Sequence, residues 1–181
     1  MRIRFEEESD WAEVGAVHRA AFGGHHGAVV ARLVDDLRSL AVEGEGISLV
    51  ADGIDGIVGR AMFTPSLLDA PRKLVPVSVL SPVGVLTRHQ RQGVGSAIIH
   101  RGLEILTERS VPVVFLEGSP SYYPRFGFEL GADHGFRKPS LRIPDAAFQA
   151  LRLPSYEPWM TGTLVYSEIF WWHDAVGLRD A

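Results

Sequence analysis

The chain has 181 residues, 46% of them hydrophobic, 22% charged and none of them cysteine, with a net charge of -4. That length and apolar content suit one domain with a sizeable core and exclude a disordered chain. The missing cysteines exclude a disulfide framework, thiolate zinc, an Fe–S cluster and a cysteine nucleophile, and a pI near 6.0 argues against a general nucleic-acid binder.

Residues 2–6 read as a short first strand. Asp10, with Glu13 three residues on, has the spacing of a reciprocal helix cap. Trp11, Val14, Val17, Ala21 and Phe22 give the helix that follows an apolar side. Gly23, Gly24, His25, His26 and Gly27 predict a break. A second helix then carries Val29, Val30, Leu33, Leu37 and Leu40 at helical spacing. Two β-rich runs, 47–51 and 57–63, flank Asp52-Gly-Ile-Asp-Gly56 and predict a hairpin.

Val75 to Leu86 is a third β-rich run, made irregular or splayed by Pro76 and Pro82. It is also the longest nearly uncharged stretch, well short of the ~20 residues of a bilayer span. The N-terminus carries Glu6, Glu7 and Glu8 and no apolar signal core, so a soluble cytoplasmic protein is expected. Residues 93–109 predict a helix and 112–117 a short buried strand. Strand, helix, strand in that order predicts a βαβ crossover in a mixed sheet. In the last third, 147–153 and 162–170 predict strands. Arg72-Lys73 and Arg137-Lys138 read as solvated charge. Phe170, Trp171 and Trp172 form an aromatic cluster suited to core packing or to a homodimer contact.

The chemically informative stretch is Val83-Gly-Val-Leu-Thr-Arg-His-Gln-Arg-Gln-Gly-Val-Gly-Ser-Ala-Ile98. A β-rich run ends, a basic turn follows and glycines open a helix. Amides at a helix N-terminus lack intrahelical acceptors, the helix dipole adds positive potential, and glycine permits close approach of a bulky anion. The stretch therefore reads as a phosphate cradle, with Arg88 and Arg91 adding charge. An ordinary glycine-containing β–α turn has the same composition. A dinucleotide fingerprint fits poorly, because Ile98 stands where a third glycine is needed and ~90 residues precede the unit.

Gln90-Arg-Gln-Gly93-Val-Gly95 resembles the acetyl-coenzyme A signature of the GNAT superfamily of N-acetyltransferases. A second match follows in the correct order. In Ser121-Tyr-Tyr-Pro-Arg-Phe-Gly-Phe128, Tyr123 stands four residues before a Gly-Phe pair, as in many family members. The resemblance covers roughly residues 1–130, is similar to predicted bacterial acetyltransferases of the superfamily, and treats 131–181 as a less typical extension of one domain, 1–181. It implies an α+β fold of three layers, with a mixed, mostly antiparallel sheet splayed between strands 4 and 5 and helices on both faces.

The resemblance also implies roles. Acetyl-CoA is the co-substrate and no metal takes part. Its pantetheine amides would pair with backbone groups of Val83 and Val85, and its pyrophosphate would sit on the amides of Arg91, Gln92, Gly93, Val94, Gly95 and Ser96, next to Gln90. Ser119 and Tyr122 would touch the cofactor, although Ser119 stands where many members have asparagine. A backbone N–H near Val85 would be the oxyanion donor. Tyr123 would be the general acid for the leaving thiolate, with Tyr122 its rival. Glu117, at a strand end, is the candidate general base, although a solvated strand-end carboxylate has the same sequence position. His25 and His26, expected in a loop, are alternatives. The acceptor is an amine left open between proteins and small molecules. A non-catalytic acyl-CoA sensor using the same cradle is the second reading.

Overall fold

The computed structural model of the chain describes residues 1–42 and 46–178. The last residues of the expected extension, 179–181, lie outside the described residues. The chain forms two compact units, 1–64 with 81–105, and 65–80 with 106–181, so that each is discontinuous in sequence. Among the described residues, nine strands pair in the order β1-β2-β3-β4-β5-β8-β6, with β9 on β3 and β7 on β9. Parallel pairs, β4–β5 and β7–β9, mix with antiparallel ones, giving the expected α+β class.

In the first unit, β1 (Arg2–Phe5) and β3 (Gly56–Asp69, of which the first nine residues belong here) flank β2 (Ile47–Gly53) in antiparallel register, from Arg2↔Asp52 to Phe5↔Leu49 and from Ile47↔Phe63 inward. The hairpin is as predicted at its open end, Ile47↔Phe63, and longer at its turn, and β3 alone runs on past it. Helices α1 (Trp11–Phe22) and α2 (Gly24–Val42) lay Val14, Val17, Val30 and Val34 against Val50 and Ile57.

Three details of the helical region differ from expectation. Asp10 does not cap α1. Its carboxylate accepts from the Glu7 amide at 2.8 Å and from the Arg4 guanidinium at 2.6 and 2.8 Å, because a short 3-10 helix, Glu8–Asp10, precedes α1. Glu13 instead accepts from the Ile57 amide at 2.8 Å and so anchors the hairpin. The break between the helices is Gly23 alone, at φ +68, so His25 and His26 lie in the first turn of α2 and not in a loop. Trp11 and Phe22, expected on the buried side of α1, are exposed, and His18 is buried in their place.

A charged cluster also lies inside this unit. Glu6 accepts from Arg38 at 2.8 Å and from Arg60 at 3.2 Å, and Ser48 donates to it as well. Burial pushes Glu6 up, but Arg60, Ser48 and Arg38 more than reverse this and hold it below the usual carboxylate range. Arg60 is fully buried, which lowers it to about 10.

In the second unit the first part of β4 (Leu74–Val85) lies parallel to β5 (Val113–Glu117), with a register of only two pairs, Ser78↔Val114 and Val79↔Phe115. β4 is one continuous strand of twelve residues and pairs with β5 at only two positions, in keeping with the expected splay. β5 pairs along its whole length with β8 (Phe148–Arg152), which also carries β6 (Glu129–Leu130). The outer end of β3 pairs with β9 (Gly162–Val165), and β9 with β7 (Phe136–Arg137). Phe115 packs between Phe136 and Phe148, at 5.0 and 5.7 Å.

The strand predicted to reach Phe170 stops at Val165. A short helix, α4 (Glu168–Trp172), follows, with an acidic residue in its first turn where the helix dipole favours one. Phe170 is core, while Trp171 and Trp172 are exposed. The paired basic residues are not merely solvated. Arg72 and Lys73 lie over the Trp159 ring, Arg137 donates to Thr163, and Lys138 pairs with Asp145.

Candidate functional site

The first unit carries the glycine-rich turn. β4 ends at Val85, and the Leu86 amide donates to the Val58 carbonyl at 2.9 Å, fixing the strand end against β3. Val83 and Val85 are both part-exposed and alternate with the buried Pro82 and Gly84, so they share one face. A 3-10 turn, Thr87–His89, leads into the loop. The Gln90 side-chain amide reaches back to the Val85 carbonyl at 3.1 Å, and the Gln92 amide reaches the Arg88 carbonyl at 2.9 Å. The two exposed glutamines therefore tie the loop back onto its own backbone.

Arg91 stands at φ +60 and Gly93 at φ +84. These left-handed residues turn the chain into α3 (Val94–Glu108), whose first bond is Ala97 amide to Gly93 carbonyl at 2.9 Å. The amides of Val94, Gly95 and Ser96 precede that bond and have no acceptor within the helix. The Val94 side chain is buried, so only its backbone is available to a ligand. Gly59 of β3 lets this end of α3 sit close. A Cβ there would stand 3.0 Å from Val94 Cγ1 and 3.3 Å from the Gly84 carbonyl.

The second unit carries the ionisable groups. Glu117 closes β5. Its Oε1 accepts from the Tyr166 hydroxyl at 2.8 Å and its Oε2 from the Gly177 amide at 3.0 Å. It is not the solvated strand-end carboxylate that its position suggests. Burial pushes its pKa up, and the Tyr166 hydroxyl, the Gly177 amide and the charge of Arg142 offset part of that rise.

The loop after β5 is held by a residue that the sequence reading passed over. Gln149, buried in β8, donates from one side-chain nitrogen to the carbonyls of Gly118 at 3.2 Å and Ser119 at 3.4 Å. A glutamine set between Phe148 and Ala150 in a strand-forming run was the available signal. The Tyr122 amide donates to the Ser119 carbonyl at 3.1 Å, and the Ser119 and Ser121 hydroxyls pair at 3.0 Å.

Tyr123 begins the 3-10 helix Tyr123–Phe126. Its ring lies edge-on to Tyr122 at 5.0 Å and to Phe128 at 6.0 Å. Burial first, and Tyr122 second, push its phenol up to about 12. Among the described residues its hydroxyl has no hydrogen-bond partner. Tyr122 turns differently, with its ring under the Arg125 guanidinium at 4.4 Å. Glu117, Ser119, Tyr122 and Tyr123 thus all belong to one strand end and the loop after it. His26 meets the edge of Phe22 at 5.6 Å in the first unit. Among the described residues no cluster of histidine, cysteine and carboxylate side chains is arranged to hold a metal, and no helix is long and apolar enough to cross a membrane.

A family model described as an acetyltransferase (GNAT) domain matches residues 2–131. The N-acetyltransferase YhbS of Escherichia coli is 32% identical over 177 residues, 94% of this chain and 98% of its own length. The crystal structure of that protein with CoA superposes with a TM-score of 0.80 at 31% identity, covering 93% of this chain and 91% of that one. A GNAT family acetyltransferase from Brucella melitensis, solved with acetyl-CoA, gives a TM-score of 0.72 at 30% identity, covering 93% and 97%.

Proposed function

Since the chain belongs to the GNAT acetyltransferase family, we propose that it moves the acetyl group of acetyl-CoA directly to a primary amine, without an acyl-enzyme. The reading rests most on the start of α3. Three amides there lack intrahelical acceptors, just after Gly93 at φ +84, within the Gln90–Gly95 motif. Two relatives similar over nine-tenths of the chain are bound to CoA or acetyl-CoA. The two units act as one catalytic domain, a reading supported by β3, β4 and α3 each running through both.

In this reading the amides from Arg91 to Ser96 take the pyrophosphate. Backbone groups of Val83 and Val85 take the pantetheine, and Ser119 and Tyr122 flank the cofactor. Gln90 takes one lone pair of the Val85 carbonyl, leaving the other for the pantetheine and the Val85 N–H as the oxyanion donor. One such donor is worth about 2.7–4 kcal/mol of transition-state stabilisation. The acceptor ammonium gives a proton to Glu117, directly or through a water. The neutral nitrogen attacks the thioester carbon, the C–N bond forms and the C–S bond breaks. Tyr123 passes its proton to the departing thiolate, and the proton that the new amide nitrogen sheds as the intermediate collapses returns, through a water, to the Tyr123 oxygen.

The test is thermal stability with acetyl-CoA and with CoA, followed by a panel of primary amines read as free thiol. Ligand at about 100 times its dissociation constant adds ~2.7 kcal/mol to stability. No shift with either molecule overturns the reading. Binding without turnover on any amine supports the non-catalytic sensor instead.

A further inference from the structure

Glu117 is held by two donors that come from the far end of the chain. Tyr166 follows β9, and Gly177 lies beyond α4. We propose that Tyr166 is the positioning residue of the Glu117 base, fixing one carboxylate oxygen while the Gly177 amide fixes the other. This rests on the reading of Glu117 as the base.

The geometry is built and not incidental. The Tyr166 ring is buried and tilts against Phe170 at 5.2 Å, and Phe170 is itself 1% exposed, so the ring is packed in the core while its hydroxyl meets Glu117. On the other side, Gly177 stands at φ +66, and a Cβ there would lie 2.6 Å from the Arg142 carbonyl carbon and 2.8 Å from Arg142 Cβ. Only glycine brings its amide onto Glu117 there. Arg142 in turn holds the Val176 carbonyl at 2.8 Å, and the Leu178 amide donates to the Arg142 carbonyl at 3.1 Å.

Each carboxylate oxygen keeps a lone pair beyond the bond it already accepts, so both donors orient the base without consuming it. They also set its strength. The groups facing Glu117 are the Tyr166 phenol, the Gly177 amide and the Arg142 charge, and all three favour the carboxylate against the burial that disfavours it. Tyr166 itself is pushed well above the ordinary phenol range by burial and by Glu117, so it stays a donor throughout the working pH range.

The test titrates the carboxyl carbon of Glu117 by NMR in the full chain, its signal assigned by its absence in Glu117→Gln. Tyr166→Phe removes one donor, and its midpoint rises by about one pH unit. A chain with 3-fluorotyrosine at 166 carries a stronger donor, and its midpoint falls. An unchanged midpoint in the fluorotyrosine chain overturns the proposal, even if Tyr166→Phe does not fold. Failure of the base reading looks different. Glu117→Gln would then release thiol from acetyl-CoA, with any amine that the wild type acetylates, at the wild-type rate, whatever the midpoints do.

Discussion

The ring of Tyr123 rests on the backbone of Gly118, so closely that a Cβ at 118 would fall inside the van der Waals shell of Cε2 and 2.9 Å from Cδ2. The phenol proposed as general acid therefore owes its position to a missing side chain five residues earlier. Gly118→Ala must push the ring aside. A displacement near 1 Å at a reacting group costs on the order of 100-fold in rate. The expected result is a kcat lowered by that factor with a KM for acetyl-CoA little changed. A kcat within twofold of wild type would mean that the Tyr123 ring is not where the chemistry happens.

Gly93 gives a different prediction from a different strain. At φ +84 it has nothing within 4 Å of a built Cβ, so Gly93→Ala meets no clash and only backbone strain. That strain is about 1–2 kcal/mol for an L residue. Thermal melting should register a loss of that size, and calorimetry should show weaker binding of CoA. Loss of stability with unchanged CoA affinity would remove the loop from the cofactor site.

His18 predicts how stability responds to acid. It is fully buried, a Cβ on Gly84 would stand 2.8 Å from its Nδ1, and neither ring nitrogen has a hydrogen-bond partner among the described residues. Burial, then Arg60 and Arg38, push its pKa down to about 3. The unfolded chain titrates near 6.5. Between those values the unfolded state takes up a proton that the folded state refuses. Stability therefore falls as pH falls, by at most about 1.4 kcal/mol per unit. His18→Leu abolishes this component. Unfolding free energies from urea titrations at pH 7 and pH 4.5 should differ by about 2.5 kcal/mol less in the variant than in the wild type. Parallel losses would show that the acid sensitivity belongs to Glu6 and Asp10, which are held low by their arginine partners and lose stability in the same direction.

The fold was legible where local pattern and burial agree. The hairpin, α2, α3 and β5 were all readable from apolar spacing and turn residues. The ends of elements were not, because they are decided by partners far along the chain. Glu13 has the spacing of a cap and bonds Ile57, 44 residues away. The run through Phe170 has strand composition and becomes α4. The two motifs are local, so the residues from Gln90 to Gly95 and Tyr123 were readable. Their supports are not local. Gln149, Tyr166 and Gly177 reach the loop and strand end after β5 only through tertiary contacts, with separations of 30 to 60 residues. No periodicity encodes such contacts.

Tyr123→Phe is the sharpest test of the chemistry, because the hydroxyl is the only group removed. Among the described residues that hydroxyl bonds nothing, so its loss leaves no buried donor unpaired and stability should stay within ~1 kcal/mol. A general acid contributes typically about 100- to 10,000-fold, and the rate of thiol release should fall within that range. The pH profile carries a second signature. With its pKa pushed up to about 12, the Tyr123 phenol is protonated across the whole range in which the protein is assayed. Loss of its proton then contributes no fall in kcat between pH 7 and 10, and the variant should be slower by the same factor throughout. The chain contains no cysteine, so every thiol counted comes from CoA and none from the protein. A wild-type rate in Tyr123→Phe would pass the acid's role to Tyr122 or to solvent.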